Sequence, residues 1–110
     1  MATKEPKYSV VSKERDIIWE ICNELERAEA NHPEYPDDLV YRASIISEEA
    51  GELSKAVNNL MFVKYPEVNN DTNYMATQQY KSLHKQIRKE AIQIGAMVLR
   101  FLINFKTEAE

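Results

Sequence analysis

The sequence predicts an all-α fold, an antiparallel helical bundle with two long helices that each carry a polar motif. The chain of 110 residues contains only two glycines and four prolines, which argues against a turn-rich β fold. Apolar residues recur at spacings of three and four in three stretches, and no stretch alternates as a strand would. The length fits one domain. We therefore expect residues 1–110 to form a single helical domain, with residues 1–11 as a loose lead-in.

The first helix is predicted from Ser12 to about Ala30. Its apolar stripe consists of Ile18, Ile21, Cys22, Leu25 and Ala28. Pro33 and Pro36 break the pattern, and Asp37 or Asp38 can cap the next helix. The only cysteine cannot form an intrachain disulfide, and its apolar surroundings predict a small buried hydrophobe.

Two longer helices follow. The second is predicted from about Asp38 to Met61 or slightly beyond, and its apolar stripe is Ala43, Ile46, Ala50, Leu53, Val57 and Leu60. A loop is predicted around residues 65–71, because it contains Pro66 and an Asn-Asn-Asp run. The third helix is predicted to begin between Tyr74 and Tyr80 and to end near Phe105. Its stripe is Leu83, Ile87, Ala91, Ile94, Val98, Phe101 or Leu102, and Phe105.

Three helices make a thin bundle, and the two long ones carry more apolar surface than one partner helix covers. We therefore expect a homodimer or homotetramer. The residues proposed to extend a subunit interface are Tyr74, Met75, Tyr80, Met97 and Phe101.

Charge and hydropathy exclude several classes of partner. The formal net charge is −4, which gives no general reason to expect binding to nucleic acid or to an anionic membrane. No stretch approaches the roughly 20 apolar residues that a membrane span requires. The N-terminal segment lacks an apolar signal-peptide run, so we expect a cytoplasmic protein.

Acidic residues border the apolar stripe of the second helix. Glu49 and Glu52 are three residues apart and therefore neighbours on one helix face. The third helix has a matching polar stripe, with spacings of 4, 3, 4, 3 and 4, made of Gln86, Glu90, Gln93, Met97, Arg100 and Asn104. If the two stripes face each other, Glu49, Glu52 and Glu90 converge beside Gln93.

Converging carboxylates repel one another and lose hydration, so their pKa values should rise unless a cation is present. Oxygen-only ligands favour Mg²⁺ or Mn²⁺, and Mg²⁺ usually completes its coordination with water and substrate phosphates. The alternative interpretation is a solvated charged face, because glutamate is a good helix former. Gly51 and Gly95 lie inside the two helices, where glycine costs about 1 kcal/mol relative to alanine, so we expect them to permit close approach.

The acidic motif resembles that of the all-α nucleoside triphosphate pyrophosphohydrolases, the MazG-like superfamily that includes the dimeric dUTPases. The family pattern is E-E-x-x-E on one helix and E-x-x-D on the next. Residues 48–52 read EEAGE and match the first element fully. Residues 90–93 read EAIQ, so Glu90 matches while Gln93 stands where the family has aspartate. The likeness extends over roughly residues 12–105.

The resemblance implies Mg²⁺-dependent hydrolysis of a nucleoside triphosphate to the monophosphate and pyrophosphate. The metal ligands carried over by position are Glu49, Glu52, Glu90 and Gln93. Glu48 would be a further catalytic acid beside Glu49 and Glu52, and which glutamate acts as the base stays open.

Cationic residues near these positions are candidates for binding phosphate. Arg42 and Arg100 lie on the inward polar stripes, where they can hold phosphate oxygens or form salt bridges with the glutamates. A basic patch precedes Glu90 and includes Lys89; it is either a solvated face or a surface that attracts a polyphosphate.

Two other functional classes remain open. One is a catalytically weak or inactive MazG-like protein that binds a nucleotide or a protein partner, because neutral Gln93 removes one charge from the site. The other is an unrelated helical adaptor whose acidic stripe is only a solvated face.

Overall fold

The computed structural model describes residues 12–64 and 73–105, with side chains described for residues 13–62 and 78–105. These residues form three α-helices, α1 (Ser12–Asn31), α2 (Leu39–Lys64) and α3 (Asn73–Asn104), and no strand. The predicted all-α class is therefore confirmed, and the described helix ends lie within a few residues of those predicted. The lead-in, residues 1–11, and the predicted loop, residues 65–71, lie outside the described residues.

Asp38 caps the start of α2. Its carboxylate accepts a hydrogen bond from the backbone N–H of Val40 at 3.1 Å, and its carbonyl accepts one from the N–H of Arg42 at 3.0 Å. The first bond satisfies a donor that the start of a helix otherwise leaves without a partner, and the second is the first bond of the regular helical ladder. Of the two aspartates that the sequence offers as caps, Asp38 is therefore the one used.

Helix α3 is the centre of the fold. Within the described residues, α1 and α2 each pack against α3, and no Cα atom of α1 comes within 8 Å of one of α2. Arg42 at the start of α2 donates to the carbonyl of Asn104 at the end of α3, at 3.2 Å, so these two helices are antiparallel. Helix α1 runs in the same direction as α3, because Glu20 pairs with Arg88 and the His32 carbonyl is bonded to Arg100.

A close contact joins α1 to α3 at Gly95. A Cβ atom built at this position would lie 3.0 Å from Cδ1 of Ile21 and 3.2 Å from Cγ1. The expectation of close helix approach is met here. At Gly51, in contrast, a Cβ atom would meet no atom of the described structure within 4 Å, so α2 has open space on that side.

The core within the single chain is thin. Among the described residues the buried apolar side chains are Leu25, Ala28, Ala56 and Ala96, and no large side chain is fully buried. The prediction of a buried Cys22 is wrong, since Cys22 is exposed. Members of the predicted stripes of α2 and α3 are also exposed, and these are Ala43, Ala50, Val57, Ala91, Val98, Leu102 and Phe105. One neighbouring helix covers a narrower strip than either stripe occupies.

Three of the residues predicted to extend an interface have described side chains. Tyr80, Met97 and Phe101 are half-buried within the chain. The ring of Phe101 stacks on that of Phe105 with centroids 5.6 Å apart. The ring centroids of Tyr80 and His84 are 4.2 Å apart. The side chains of Tyr74 and Met75 lie outside the described residues. Over the described ranges, none of the helices has the length and hydropathy needed to cross a lipid bilayer.

Candidate functional site

A pocket of about 160 Å³ lies where α1, α2 and α3 come together. Its walls combine charged, amide and small side chains from all three helices and from the residue that follows α1: Glu24, Arg27, Ala28, Asn31, His32, Glu49, Gln93 and Met97. The two polar stripes predicted from the sequence therefore do share a cavity, and α1 closes it from a third side.

Gln93 lies between the carboxylates of Glu49 and Glu90. With its amide oriented so that the nitrogen faces them, Nε2 lies 3.3 Å from Oε2 of Glu49 and 3.1 Å from Oε2 of Glu90. This orientation satisfies both carboxylates, and the hydrogen-bond network is the basis on which an amide is oriented. One side chain therefore links the motif of α2 to the motif of α3.

Glu90 is buried, with 7% of its surface exposed, and among the described residues its hydrogen bonds come from amides alone. Gln86 Nε2 donates to its Oε1 at 2.5 Å, while Gln93 reaches Oε2. Within the described part of the chain, no lysine or arginine forms an ion pair with Glu90 or Glu49. A buried carboxylate without a cationic partner is costly. No positive side chain paired with Glu49 or Glu90 offsets this cost within the described residues.

The pKa of Glu49 is raised above its ordinary value of 4.5. Loss of hydration is the largest cause, followed by the charge of Glu90 and then by smaller contributions from the other acids around it, Glu48, Glu52 and Glu24. Repulsion among carboxylates with no positive charge between them has this effect. The site therefore favours any cation that enters it.

Glu48 and Glu52, the other members of the first motif, are exposed on α2 and act on Glu49 through their charge. Across the described residues, no group of three His, Cys, Asp or Glu side chains is arranged to hold a metal ion. The described structure thus brings Glu49, Glu90 and Gln93 together and leaves Glu52 at the margin.

Glu24 and Arg27 on α1 also line the pocket, and the sequence analysis did not identify them. Arg27 Nε donates to Glu24 Oε1 at 3.0 Å, and Nη2 makes a second bond to the same carboxylate. Their spacing of three was a usable signal, since it places both on one helix face. What the sequence lacked was the identity of the helix that this face meets.

Arg100 and Arg42 hold the segment between α1 and α2 instead of pairing with the motif glutamates. Their guanidinium carbons each lie 4.7 Å from the ring centroid of Tyr35. Arg100 donates to the carbonyl of His32 at 2.7 Å, and Arg42 donates to the carbonyls of Pro36 and Asn104.

Arg100 is buried, with 6% of its surface exposed, and its Nε has no hydrogen-bond partner within the described structure. It forms no ion pair with the carboxylates described, whereas Arg42 lies 3.9 Å from the fully exposed Asp37. Arg100 is one helical turn beyond Met97, a pocket residue, so a buried and unpaired positive charge lies at the edge of the pocket.

Lys89 lies away from the pocket, in an open groove of about 390 Å³ between α1 and α3. Lys85, Arg88 and Arg27 also line this groove, where Arg88 is paired with Glu20 and Arg27 with Glu24. The groove shares Glu24 and Arg27 with the pocket, so the two cavities are neighbours.

No protein-family model matches the chain, and no curated protein or solved structure shows significant similarity to it.

Proposed function

We propose that the protein is a Mg²⁺-dependent nucleoside triphosphate pyrophosphohydrolase that converts a (d)NTP and water to the (d)NMP and pyrophosphate. The observation that supports this most is the pair Glu49 and Glu90, held around Gln93 at the pocket, where neither carboxylate forms an ion pair with a lysine or arginine of the described residues. The resemblance of EEAGE to the first motif of the MazG-like enzymes supports the same reaction.

The donor set fits Mg²⁺, with Mn²⁺ as a substitute. Glu49 and Glu90 supply carboxylate oxygens, and Gln93 would supply its carbonyl oxygen if the amide turned over. Two carboxylates are enough, because Mg²⁺ is commonly bound through one or two carboxylates together with substrate phosphates and water. When bound, the ion would neutralise charge on the phosphates and lower the pKa of a coordinated water.

The cationic side chains near the pocket suit the phosphates of the substrate. Arg27 is in the pocket wall, where it is paired with Glu24. A phosphate that entered the pocket could replace Glu24 as the partner of Arg27. Arg100 offers a buried guanidinium whose Nε–H has no partner in the described structure. The guanidinium of Arg42 lies near the ring of Tyr35, which Arg100 also contacts. Charge-assisted bonds from guanidinium groups to phosphate are short and directional. Lys89, in the adjoining groove, would interact with the ligand only at longer range.

A non-catalytic nucleotide-binding or protein-binding role is the second candidate. The observation that favours it is the orientation of the Gln93 amide, which donates to both carboxylates and so stabilises them without a metal. An aspartate at this position would have added a further acid beside Glu49 and Glu90 and increased the demand for a cation.

Product analysis tests the enzymatic proposal. Purified protein with Mg²⁺ or Mn²⁺ would be incubated with a panel of ribonucleoside and deoxyribonucleoside triphosphates, and monophosphate and pyrophosphate would be quantified. We expect one class of triphosphate to be cleaved, and Glu49→Gln to lose at least about 100-fold in rate, as expected when a group that stabilises the transition state is removed. The matched control is Glu26→Gln, an exposed change on α1 away from the pocket.

The two candidates differ in the response to Gln93→Asp. If wild type cleaves nothing while Mg²⁺ still raises its melting temperature, and Gln93→Asp introduces turnover, the non-catalytic candidate is supported. If neither protein cleaves any triphosphate and Mg²⁺ leaves both melting temperatures unchanged, the metal site itself is excluded.

A further inference from the structure

The open groove between α1 and α3 has the opposite sign of charge to the chain as a whole. Its charged lining consists of four cations and two acids, a surplus of two positive charges: Arg27, Lys85, Arg88, Lys89, Glu20 and Glu24. The complete sequence has a formal net charge of −4. Residues 81–89 read KSLHKQIRK and contain no aspartate or glutamate. The groove is therefore a local concentration of positive charge that attracts anions.

The two arginines of the groove are already paired with acids of α1. Arg88 Nη2 donates to Glu20 Oε1 at 2.7 Å, and Arg27 Nε donates to Glu24 Oε1 at 3.0 Å. The described lining of the groove contains no other acid. The surplus positive charge therefore belongs to the two lysines.

Lys85 and Lys89 are exposed and form no ion pair with any of the described residues. They are four residues apart, which makes them neighbours on one side of α3, and like charges at this spacing destabilise a helix. An anionic ligand that lay along this side of α3 would be attracted by both ammonium groups and would relieve their repulsion.

We propose that the groove binds an extended acidic segment of a partner protein. In an extended peptide, alternate side chains point to the same side and are roughly 6.7 Å apart. Lys85 and Lys89 are separated by about 6 Å along the helix axis, at 1.5 Å per residue. Two acidic residues with one residue between them would therefore meet the two lysines in register.

Ile92 adds an apolar contact at the end of the same row. It is half-buried in the lining of the groove, about 4.5 Å beyond Lys89 along α3. The next alternate side chain of the peptide would lie beside it, so an apolar residue is expected there. Asn23, on the α1 side of the groove, can bond to the peptide backbone through its amide. The expected motif is acid-x-acid-x-apolar.

A nucleic acid or a free polyphosphate suits the groove less well than this peptide. The described lining contains no aromatic side chain on which a base could stack. Glu20 and Glu24, on the α1 side, would repel a ligand that is anionic on all sides. In an extended peptide, the residues between the two acids point the other way, toward α1, and need carry no charge.

This proposal does not rest on the proposed function. Peptide binding is measured without metal or nucleotide, and Glu49 and Gln93 line the pocket and not the groove. A protein that cleaved no triphosphate would have the same groove, so the two proposals can fail separately.

The test is the fluorescence anisotropy of a labelled peptide titrated with the full chain at low salt. The peptide has glutamate at two alternate positions and leucine at the next alternate position. We expect saturable binding that weakens as the salt concentration rises. The double variant Lys85→Gln/Lys89→Gln should bind about tenfold more weakly, because two partly exposed ion pairs are lost.

Two controls separate the groove from general charge attraction. Lys55→Glu, at an exposed position on α2, makes the net charge more negative by the same two units and should bind the peptide as wild type does. A peptide of the same composition with its two glutamates adjacent should bind more weakly than the alternating one, because only one carboxylate then faces α3.

The proposal is overturned if wild type does not bind the alternating peptide at about 1 mM, the weak end of specific association. It is equally overturned if Lys55→Glu weakens binding as much as the double variant, or if both peptides bind alike. Competition with other anions decides the class of ligand. If inorganic triphosphate or an oligothymidylate displaces the peptide at a concentration below that of the unlabelled peptide, the ligand is a phosphate and not an acidic protein segment.

Discussion

Ile21 on α1 packs against Gly95 on α3 so closely that a Cβ atom at position 95 would lie 3.0 Å from Cδ1 of Ile21. This contact sets the separation of the two parallel helices. It also distinguishes the two glycines of the chain, because Gly51 has open space where its side chain would be.

Alanine substitutions should separate these two environments. Gly51→Ala is expected to raise the free energy of unfolding by about 1 kcal/mol, the usual difference in helix propensity between the two residues. Gly95→Ala should gain less, since the Ile21 side chain must move by a few tenths of an ångström. Urea unfolding of both variants measures the difference. Equal gains would contradict the close contact, and combining Gly95→Ala with Ile21→Ala should recover the propensity gain at position 95.

Replacing Glu49 should stabilise the metal-free protein. Its pKa is higher in the folded state than the ordinary 4.5, so the ionised carboxylate destabilises the fold at neutral pH. The penalty is relieved as pH falls through the raised folded pKa toward 4.5. In the presence of a chelator, Glu49→Gln should therefore melt at a higher temperature than wild type at pH 7, and the difference should shrink on acidification.

The control for this prediction is Glu26→Gln, whose melting temperature should follow that of wild type over the same pH range. A Glu49→Gln protein that melts below wild type at pH 7 without metal would show that the charge of Glu49 is favourable in the fold. That result would remove the main electrostatic reason for placing a cation in the pocket.

The cap of α2 gives a prediction that is independent of function. Asp38→Ala removes the acceptor for the N–H of Val40, and a lost N-cap typically costs about 1 kcal/mol of stability. Asp37→Ala should change stability much less, because the Asp37 carboxylate is fully exposed and its separation from Arg42 is 3.9 Å. Chemical denaturation of the two variants side by side is the measurement. A larger loss for Asp37→Ala would identify it as the cap.

Tyr35 should stabilise the segment between α1 and α2 through its ring. Two guanidinium groups lie 4.7 Å from the ring centroid. A cation–π contact contributes about 0.5–1 kcal/mol at exposed sites and about 2 kcal/mol where the cation is desolvated, and Arg100 is buried. Tyr35→Ala is thus expected to cost about 2–3 kcal/mol from these contacts, with a further cost from lost packing. Tyr35→Phe keeps the ring and should stay close to wild type. If Tyr35→Phe were as damaging as Tyr35→Ala, the hydroxyl and not the ring would be responsible.

The positions of the helices could be predicted because their signals are local. Pro33 and Pro36 end the first helix, an aspartate starts the second, and spacings of three and four run through all three. The meeting of Glu49, Glu90 and Gln93 was also predictable, since two polar stripes beside two apolar stripes face each other when the helices pack. These inferences need only the periodicity of a helix.

The burial of individual apolar residues was not predictable. The pattern marks Ala50 and Val57 as apolar but does not say which neighbour covers them, and both side chains are exposed in the described structure. The sequence also did not indicate that Glu24 and Arg27 line the pocket. Charged residues on α1 look like a solvated face until the helix that they meet is known.

The separation of the α1 and α2 backbones in the described structure has a consequence for ligand binding. The fold consists of two helix pairs, α1–α3 and α2–α3, that share one member. Glu24 and Arg27 belong to the first pair and Glu49 to the second, so a ligand that fills the pocket would connect α1 directly to α2. A bound ligand would therefore restrain α1 relative to α2. Amide hydrogen exchange should then slow along α1, even where that helix is far from the ligand.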